Sequence, residues 1–405
     1  MDASAFAPNG IGFALLASGL ILLAWSRFSR LFLPALGVAS LVAAAAWSGP
    51  AELAALVLFL VPPYVAARAV WGHEGRQGTR LAMATIAWQV ALFAVLRGYP
   101  FVDLLGWLGH PLAVVGLSYI LFRQIHLILE APFLGDLPLD PWRYLTFLLA
   151  FWTLLAGPIQ RYPAFVEGLA AVGRPGNDAA LAAGHRVVNG LIKAFLLAPV
   201  FLKSGDVRLL QAPGSDWLDF AVLFYSFPVY LYLNFSGYTD VMIGVARLCG
   251  VTTLPENFNR PYLARNVQDF WARWHMSFSS WIQHYLFNPL AKYLVGRAPR
   301  HGGAMTALAV MVTFLLLGAW HGTTANYLVF GLLHGVGVIA VALWGEFLKA
   351  RLGRAGRKAL LARTDVRVVA TVVTFHYVCA TLMVFNTPLD RLAIPLAIPL
   401  AWLAG

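Results

Sequence analysis

A chain of 405 residues that is 60% hydrophobic and only 12% charged carries about half the charged share of a soluble globular domain. Its mean hydropathy of +0.71 leaves more apolar surface than a water-soluble core can hide, so a soluble protein is excluded. The formal net charge of +11 sits in loops between apolar runs, which fits loops facing anionic lipid and not a nucleic-acid surface.

Residues 1–9 lack the positive n-region of a cleaved signal peptide, so the first apolar run, 11–25, is expected to remain as a transmembrane helix. A helix needs about 20 apolar residues to cross a bilayer. Further candidate spans are 31–47, 53–71, 81–96, 111–129, 144–156, 187–202, 220–233, 241–249, 304–320, 327–344, 368–385 and 392–403. Several are short, and Pro158, Pro228 and Gly237 interrupt others; such breaks are tolerated only where protein or a water-filled cavity covers the backbone. The polar stretch 161–186, with Gly-Arg-Pro-Gly-Asn-Asp at 173–178, is the nearest thing to a linker, and one domain over 1–405 is expected. The two cysteines, Cys249 and Cys379, lie inside apolar runs and supply neither a disulfide framework nor a metal set.

Basic residues orient the ends. Arg27 and Arg30 follow the first run and Arg76 and Arg80 the third; later come Lys292, Arg297 and Arg300, then Lys349, Arg351, Arg354, Arg357, Lys358, Arg363 and Arg367. The positive-inside rule places these loops in the cytoplasm. The hairpin 304–344 then leaves and re-enters that face, with its turn at 321–326 deep in the membrane or beyond it.

Two segments stand out chemically. The first is Asn257-Phe-Asn-Arg-Pro-Tyr262 followed by 266–285, in which Trp271, Trp274, Phe278 and Trp281 recur at spacings that put them on one helical face. Asn266 is expected to cap that helix, with Asp269 in a capping-box-like position. An interfacial amphipathic helix anchored by aromatics accounts for the pattern but leaves His275 unexplained. The second is Gly318-Ala-Trp-His-Gly-Thr-Thr-Ala-Asn326, joined to a run ending Gly331-Leu-Leu-His-Gly335. Here His321 stands between two spans beside small residues, and an ionisable group at membrane depth marks a functional site by default. It is expected to be neutral and able to accept a proton. His334 reads as a packing or hydrogen-bonding residue, and His126 with Glu130 as a helix-end ion pair. There is no G-x-S-x-G elbow, H-E-x-x-H or P-loop, and no two histidines stand three or four apart.

Taken together, the Asn-Phe-Asn-Arg-Pro-Tyr motif, the Asp-Phe-Trp-Ala-Arg-Trp-His-Met-Ser-Phe-Ser-Ser-Trp run, Trp-His-Gly and Gly-Leu-Leu-His-Gly resemble the bacterial membrane-bound O-acyltransferases. They are similar above all to the D-alanyl-transfer proteins of the teichoic acid pathway and the alginate O-acetyltransferases. Supporting pieces follow in the family's order: Gly116-Leu-Ser-Tyr-Ile-Leu-Phe, Ala156-Gly-Pro-Ile-Gln-Arg-Tyr162, Leu233-Asn-Phe-Ser-Gly-Tyr-Thr-Asp240 and Thr374-Phe-His-Tyr-Val-Cys379. The likeness covers roughly 116–386; the first hundred residues fit only in hydropathy. The resemblance implies an all-α polytopic fold, a ring of about 11 transmembrane helices with re-entrant and interfacial helices around a central funnel.

It also makes His321 the catalytic residue and His275 a second position near the tunnel. Asn326, Trp320 and His275 are candidate donors to a developing oxyanion, with Trp274 and Ser277 as further substrate-contacting candidates. One departure is that Gln283-His284-Tyr285 stands where the family often has Arg-Asp-Tyr, so any contact made by that Asp is missing.

The implied activity moves an acetyl or D-alanyl group from a cytoplasmic thioester to a hydroxyl of an extracytoplasmic cell-envelope polymer or an intermediate carrier. No tightly bound cofactor or metal is expected. The co-substrate is coenzyme A or a phosphopantetheinyl carrier protein, and the further partners are the bilayer and the polymer or a secreted acyltransferase. Nucleic acid is not among the partners. The bacterial cytoplasmic (inner) membrane is the expected location. A non-catalytic transporter or flippase is the alternative; it calls for inverted repeats and paired intramembrane charges, and neither is evident in the sequence. A structural scaffold, the third reading, predicts that both histidines are replaceable.

Overall fold

The computed structural model describes residues 10–46, 48–73, 75–99, 114, 116–206, 210, 215–393 and 395, and every regular element among them is helical. In chain order the helices are α1 (Ile11–Trp25), α2 (Phe32–Ala46), α3 (Pro50–Val70), α4 (Arg76–Leu96), α5 (Leu117–Glu130) and α6 (Pro141–Leu149). Then come α7 (Phe151–Leu154), α8 (Tyr162–Ala170), α9 (Asn177–Leu191), α10 (Ala198–Ser204) and α11 (Trp217–Leu248). The last six are α12 (Val267–Trp271), α13 (Met276–Ile282), α14 (Asn288–Arg297), α15 (Gly302–His321), α16 (Ala325–Ala362) and α17 (Thr364–Asn386). The chain divides into two compact units, Met1–Phe195 with Phe235–Glu256, and Leu196–Asn234 with Asn257–Gly405.

Among the described residues, eight helical stretches are long and apolar enough to cross a membrane: Ser29–Ala46, Pro50–Val70, Arg76–Leu96, Asn177–Ser204, Trp217–Leu248, Pro299–His321, Ala325–Ala362 and Thr364–Asn386. The chain is thus a multi-pass membrane protein. The eight fall short of the eleven or so expected for definite reasons. Residues 11–25 and 117–130 form helices of 15 and 14 residues. The run 220–233 and the run 241–249 fuse into the single 32-residue α11, and most of 392–403 lies outside the described residues. The run 144–156 is not a span but two short helices, α6 and α7, buried in the first unit; a continuous apolar run does not separate a membrane span from a buried helix. The stretch 161–186 is no linker either, since α8 and the first turns of α9 occupy most of it.

Buried polar side chains explain how the first unit tolerates its broken helices. Pro62 and Pro63 lie inside α3, and Pro63 has no N–H for the Phe59 carbonyl four residues back. Gln124 Nε2 donates to that carbonyl at 2.9 Å, and the Tyr144 hydroxyl donates to the next one, Leu60, at 2.7 Å. Arg123, fully buried, donates through Nη1 to the carbonyls of Phe147 and Leu148, each at 2.9 Å, and through Nη2 to that of Thr153. A guanidinium on the carbonyl end of a helix matches its partial negative charge, and it stabilises the break between α6 and α7.

The same unit holds a charge ladder. Arg186 Nε contacts Asp240 at 2.9 Å, Lys193 Nζ contacts the other oxygen of Asp240 at 2.7 Å, and Glu256 joins Arg186 to Arg247. Arg186, Lys193 and Asp240 all lie within stretches that qualify as spans, so paired charges within candidate spans are present after all, contrary to the sequence reading. Backbone contact accompanies them: a Cβ on Gly237 would stand 2.7 Å from both the Ala194 nitrogen and the Gly190 oxygen.

In the second unit α15 and α16 form a hairpin whose helices touch backbone to backbone. A Cβ on Gly318 would lie 2.3 Å from the Tyr327 oxygen, and one on Gly331 would lie 2.3 Å from the Phe314 oxygen. This glycine pair holds the two helices together just before the turn that carries His321.

Candidate active site

The segment 257–285 is not the single amphipathic helix its aromatic spacing suggests. Asn266 does cap α12, its Oδ1 accepting from the Asp269 N–H at 2.8 Å, while Asp269 reaches back to the Arg265 N–H at 3.0 Å. The helix then stops. His275 adopts a left-handed backbone conformation (φ 45°, ψ 53°) and α13 starts immediately after it. Histidine visits this region rarely, and such conformations cluster at functional sites. Trp274, Phe278 and Trp281 are buried, so this face packs into the second unit and does not anchor at a lipid surface.

Asn257 organises the bend. Its side-chain oxygen accepts from the Ser277 N–H at 3.2 Å, from the Ser277 hydroxyl at 2.8 Å and from His275 Nδ1 at 3.1 Å. A backbone N–H can only donate, so the oxygen is an acceptor and His275 Nδ1 carries the proton. The lone pair is therefore on Nε2. His275 lies outside the eight long stretches and is buried; burial first, and then the nearby His321, push it down to about 3. It stays neutral across the physiological range.

His321 ends α15 and is partly buried in an aromatic collar. Ring centroids of Trp320, Phe385, Phe330 and Tyr327 lie 4.6, 5.0, 5.9 and 6.2 Å from its own. A continuous aromatic series joins the two histidines, with His275 to Phe278 at 5.0 Å, Phe278 to Trp320 at 4.7 Å and Trp320 to His321 at 4.6 Å. The third histidine behaves differently. His334 is fully buried; its Nδ1 accepts from the Trp271 indole at 3.1 Å, and its Nε2 donates to the Thr381 hydroxyl at 2.9 Å. Both its nitrogens are committed to holding α12, α16 and α17 together.

The other expected site residues separate by role. Trp320 belongs to the aromatic series. Asn326 donates from Nδ2 to the Phe385 carbonyl at 2.8 Å, and its buried oxygen has no hydrogen-bond partner. One bond to Phe385 uses one of the two amide N–H groups, so Asn326 keeps donor capacity beside its unpartnered oxygen. The Ser277 hydroxyl proton goes to Asn257, and Trp274 stacks on Phe270 at 5.6 Å and meets Phe258 edge-on at 5.1 Å.

A cavity of about 890 Å³ lies beside this cluster. Its lining runs along α15 from Gly303 to Leu317 and along α16 from Val338 to Glu346, and is closed by Gln268, Trp271, Ser280, Gln283 and their neighbours. At 1.5 Å per helical residue the α15 wall is roughly 21 Å long and stops about one turn short of His321. Phe278 lines the cavity on one side and stacks on Trp320 on the other.

Residues 133–383 match the model of the membrane-bound O-acyltransferase family. The chain belongs to that family. It is 29% identical over 344 residues to the teichoic acid D-alanyltransferase of Bacillus subtilis (strain 168), covering 81% of this chain and 82% of that protein. A second similar protein is the teichoic acid D-alanyltransferase of Lacticaseibacillus rhamnosus, at 29% over 307 residues, 73% of this chain and 75% of the other. The probable alginate O-acetylase AlgI of Pseudomonas putida is 32% identical over 238 residues, 56% of this chain and 46% of that one.

This membrane-bound acyltransferase thus brings together, through an aromatic series of which Phe278 also lines an apolar cavity, a partly buried imidazole and a second, neutral imidazole of fixed tautomer. Those are the parts for moving a proton on and off an oxygen away from bulk water. Sequence reasoning missed Asn257 as an individual residue, although its motif was noted. The cue available was a polar residue just ahead of an aromatic helix, and only the fold shows that three donors converge on its oxygen.

Proposed function

We propose that the protein transfers an acyl group, acetyl or D-alanyl, from a thioester bound in the cavity to a hydroxyl of a cell-envelope polymer or an intermediate carrier, with His321 as the base. The observation that carries this reading is the cavity itself, which leads from the end of the hairpin nearest the basic run to within a turn of His321. His321 takes the proton of the attacking hydroxyl as that oxygen adds to the thioester carbonyl. Collapse of the adduct breaks the carbon–sulfur bond, and the imidazolium returns the proton to the leaving thiolate. Because His275 presents a lone pair at Nε2, it suits a hydrogen-bond acceptor that orients the incoming hydroxyl, not an oxyanion donor. Among the expected donors the Trp320 indole N–H, next to His321, and the second amide N–H of Asn326 are the candidates. The thioester's source, coenzyme A or a phosphopantetheinyl carrier, enters from the cytoplasmic side of the bacterial inner membrane, and the acceptor from the other.

The charge ladder of Arg186, Lys193 and Asp240 is one feature a transporter would also carry. The test separates the two. The protein in nanodiscs, given a radiolabelled acyl thioester and a polyol glycan acceptor, is expected to release one thiol for every alkali-labile ester formed. Passage of intact thioester across proteoliposomes with no thiol released contradicts the enzyme reading.

A further inference from the structure

The transfer chemistry serves an acetyl group and an aminoacyl group equally well; the surroundings of His321 do not. Asn326 is the second residue of α16, and Phe330, four positions on, lies on the same helical face. The Phe330 ring is 5.9 Å from that of His321. The Asn326 amide donates to the Phe385 carbonyl at 2.8 Å, and the Phe385 ring lies 5.0 Å from His321 and 5.1 Å from Phe330. Asn326 is thus bracketed by two of the rings that collar the imidazole. Its carboxamide cannot be turned around, because the Phe385 carbonyl needs a donor, so the atom without a partner is fixed as the oxygen. Asn326 is only 4% exposed. A carboxamide oxygen buried that deeply has lost its hydration and gained nothing in return, which is unfavourable unless a ligand brings a donor to it.

Two groups in the reaction can bring one: the attacking hydroxyl, or an amine carried by the acyl group. The hydroxyl has a single proton, which His321 takes as the oxygen adds to the carbonyl, so none remains for Asn326. An α-amine has two or three, and it stands one carbon away from the carbonyl that must reach His321. When protonated it is also suited to the aromatic collar, since ring faces attract an ammonium. We propose that the Asn326 side-chain oxygen accepts a hydrogen bond from the α-amino group of an aminoacyl donor, which makes Asn326 the residue that selects an aminoacyl group over acetyl. A propionyl group has the carbon skeleton of alanyl and lacks only the amine, so with propionyl bound the buried oxygen stays unmatched. A site built around a hydrogen bond rejects the analogue that lacks it far more strongly than an apolar pocket rejects one methylene. The inference rests on the acyl-transfer reading for its purpose, but its binding measurement needs no turnover.

Turnover and binding by the full-length protein in nanodiscs test it separately. With D-alanyl-, propionyl- and acetyl-pantetheine thioesters and a polyol acceptor, the wild type is expected to favour D-alanyl over propionyl by about 100-fold or more in kcat/KM. Asn326→Leu should bring that ratio close to one, whatever it does to the two rates, and Asn326→Asp, which keeps an oxygen acceptor, should retain the preference. Asn326→Ala, which only removes atoms, carries the same expectation as the leucine variant if the latter does not fold. Ketone analogues of the alanyl and propionyl thioesters, which cannot react, should bind in the same order of preference to the wild type and to His321→Ala. Equal transfer and equal binding of the two groups by the wild type overturn the assignment and leave the oxygen to water; so does a preference that survives in both Asn326→Leu and Asn326→Ala. If no thioester is turned over, yet the ketones bind with the alanyl preference and lose it when Asn326 is replaced, the amine site stands and the acyl-transfer reading fails.

Discussion

Replacing His321 by alanine is expected to lower acyl transfer by about 10²–10⁴-fold, the range a positioned acid–base group contributes, while leaving donor binding and the detergent-solubilised fold intact. The imidazole ends α15 and is only partly buried. The close packing of the hairpin comes from Gly318 and Gly331, which keep their backbone contacts whatever stands at 321. His334→Ala is the contrasting control. It strips the Trp271 indole and the Thr381 hydroxyl of their partner in a fully buried setting, so it should lower the melting temperature. Initial transfer rates and melting curves on the same preparations check both. Equal rate losses in the two variants, each accompanied by unfolding, would make His321 structural.

The second large effect is expected at Asn257. Asn257→Leu removes the acceptor that holds the His275 proton on Nδ1, so the ring is free to take the other tautomer and the maximal rate should fall by about 10-fold or more. Asn257→Asp gives the sharper result. A carboxylate 3 Å or so from Nδ1 favours the imidazolium, so the pKa of His275, about 3 in the wild type, must rise. Below that raised value the ring is protonated and Nε2 can no longer accept. The acid limb of the pH–rate profile should therefore move to higher pH in Asn257→Asp, with the rate near pH 8 largely kept. In the wild type, protonation of His275 takes no part in the profile above about pH 5. The same burial has a stability consequence. Unfolded His275 binds a proton below its ordinary value of about 6.5, whereas the folded one does not until near 3, so this group favours unfolding progressively as pH falls between those values. If the Asn257→Asp profile superimposes on the wild type, His275 only fills space.

Much of this was legible in the sequence, and the parts that were not share a cause. His321 stood out because an ionisable group between two apolar runs has few innocent explanations, and Asn266 because a cap is a local feature. The break at His275 was hidden: aromatic residues at spacings of three and four look the same whether the chain continues as one helix or reverses between two, and nothing local announces a left-handed histidine. Arg186 and Lys193 are 54 and 47 residues from the Asp240 they contact, so the pairing was not evident from the sequence. Arg123 was lost inside an apolar run because its three acceptors are backbone carbonyls, which leave no trace in side-chain pattern. Hydropathy likewise gave α6 and α7 as one span, since burial by protein and burial by lipid select the same residues.

The placement of His321 against the reacting carbon is best tested by determining the structure of the protein with a non-hydrolysable ketone analogue of the acyl-phosphopantetheine thioester. The arm is predicted to lie along the cavity between α15 and α16, with Phe278 displaced and the ketone carbon within hydrogen-bonding reach of an oxygen that also touches His321. An analogue seated elsewhere, with the cavity empty or its carbonyl closest to His334, contradicts the account.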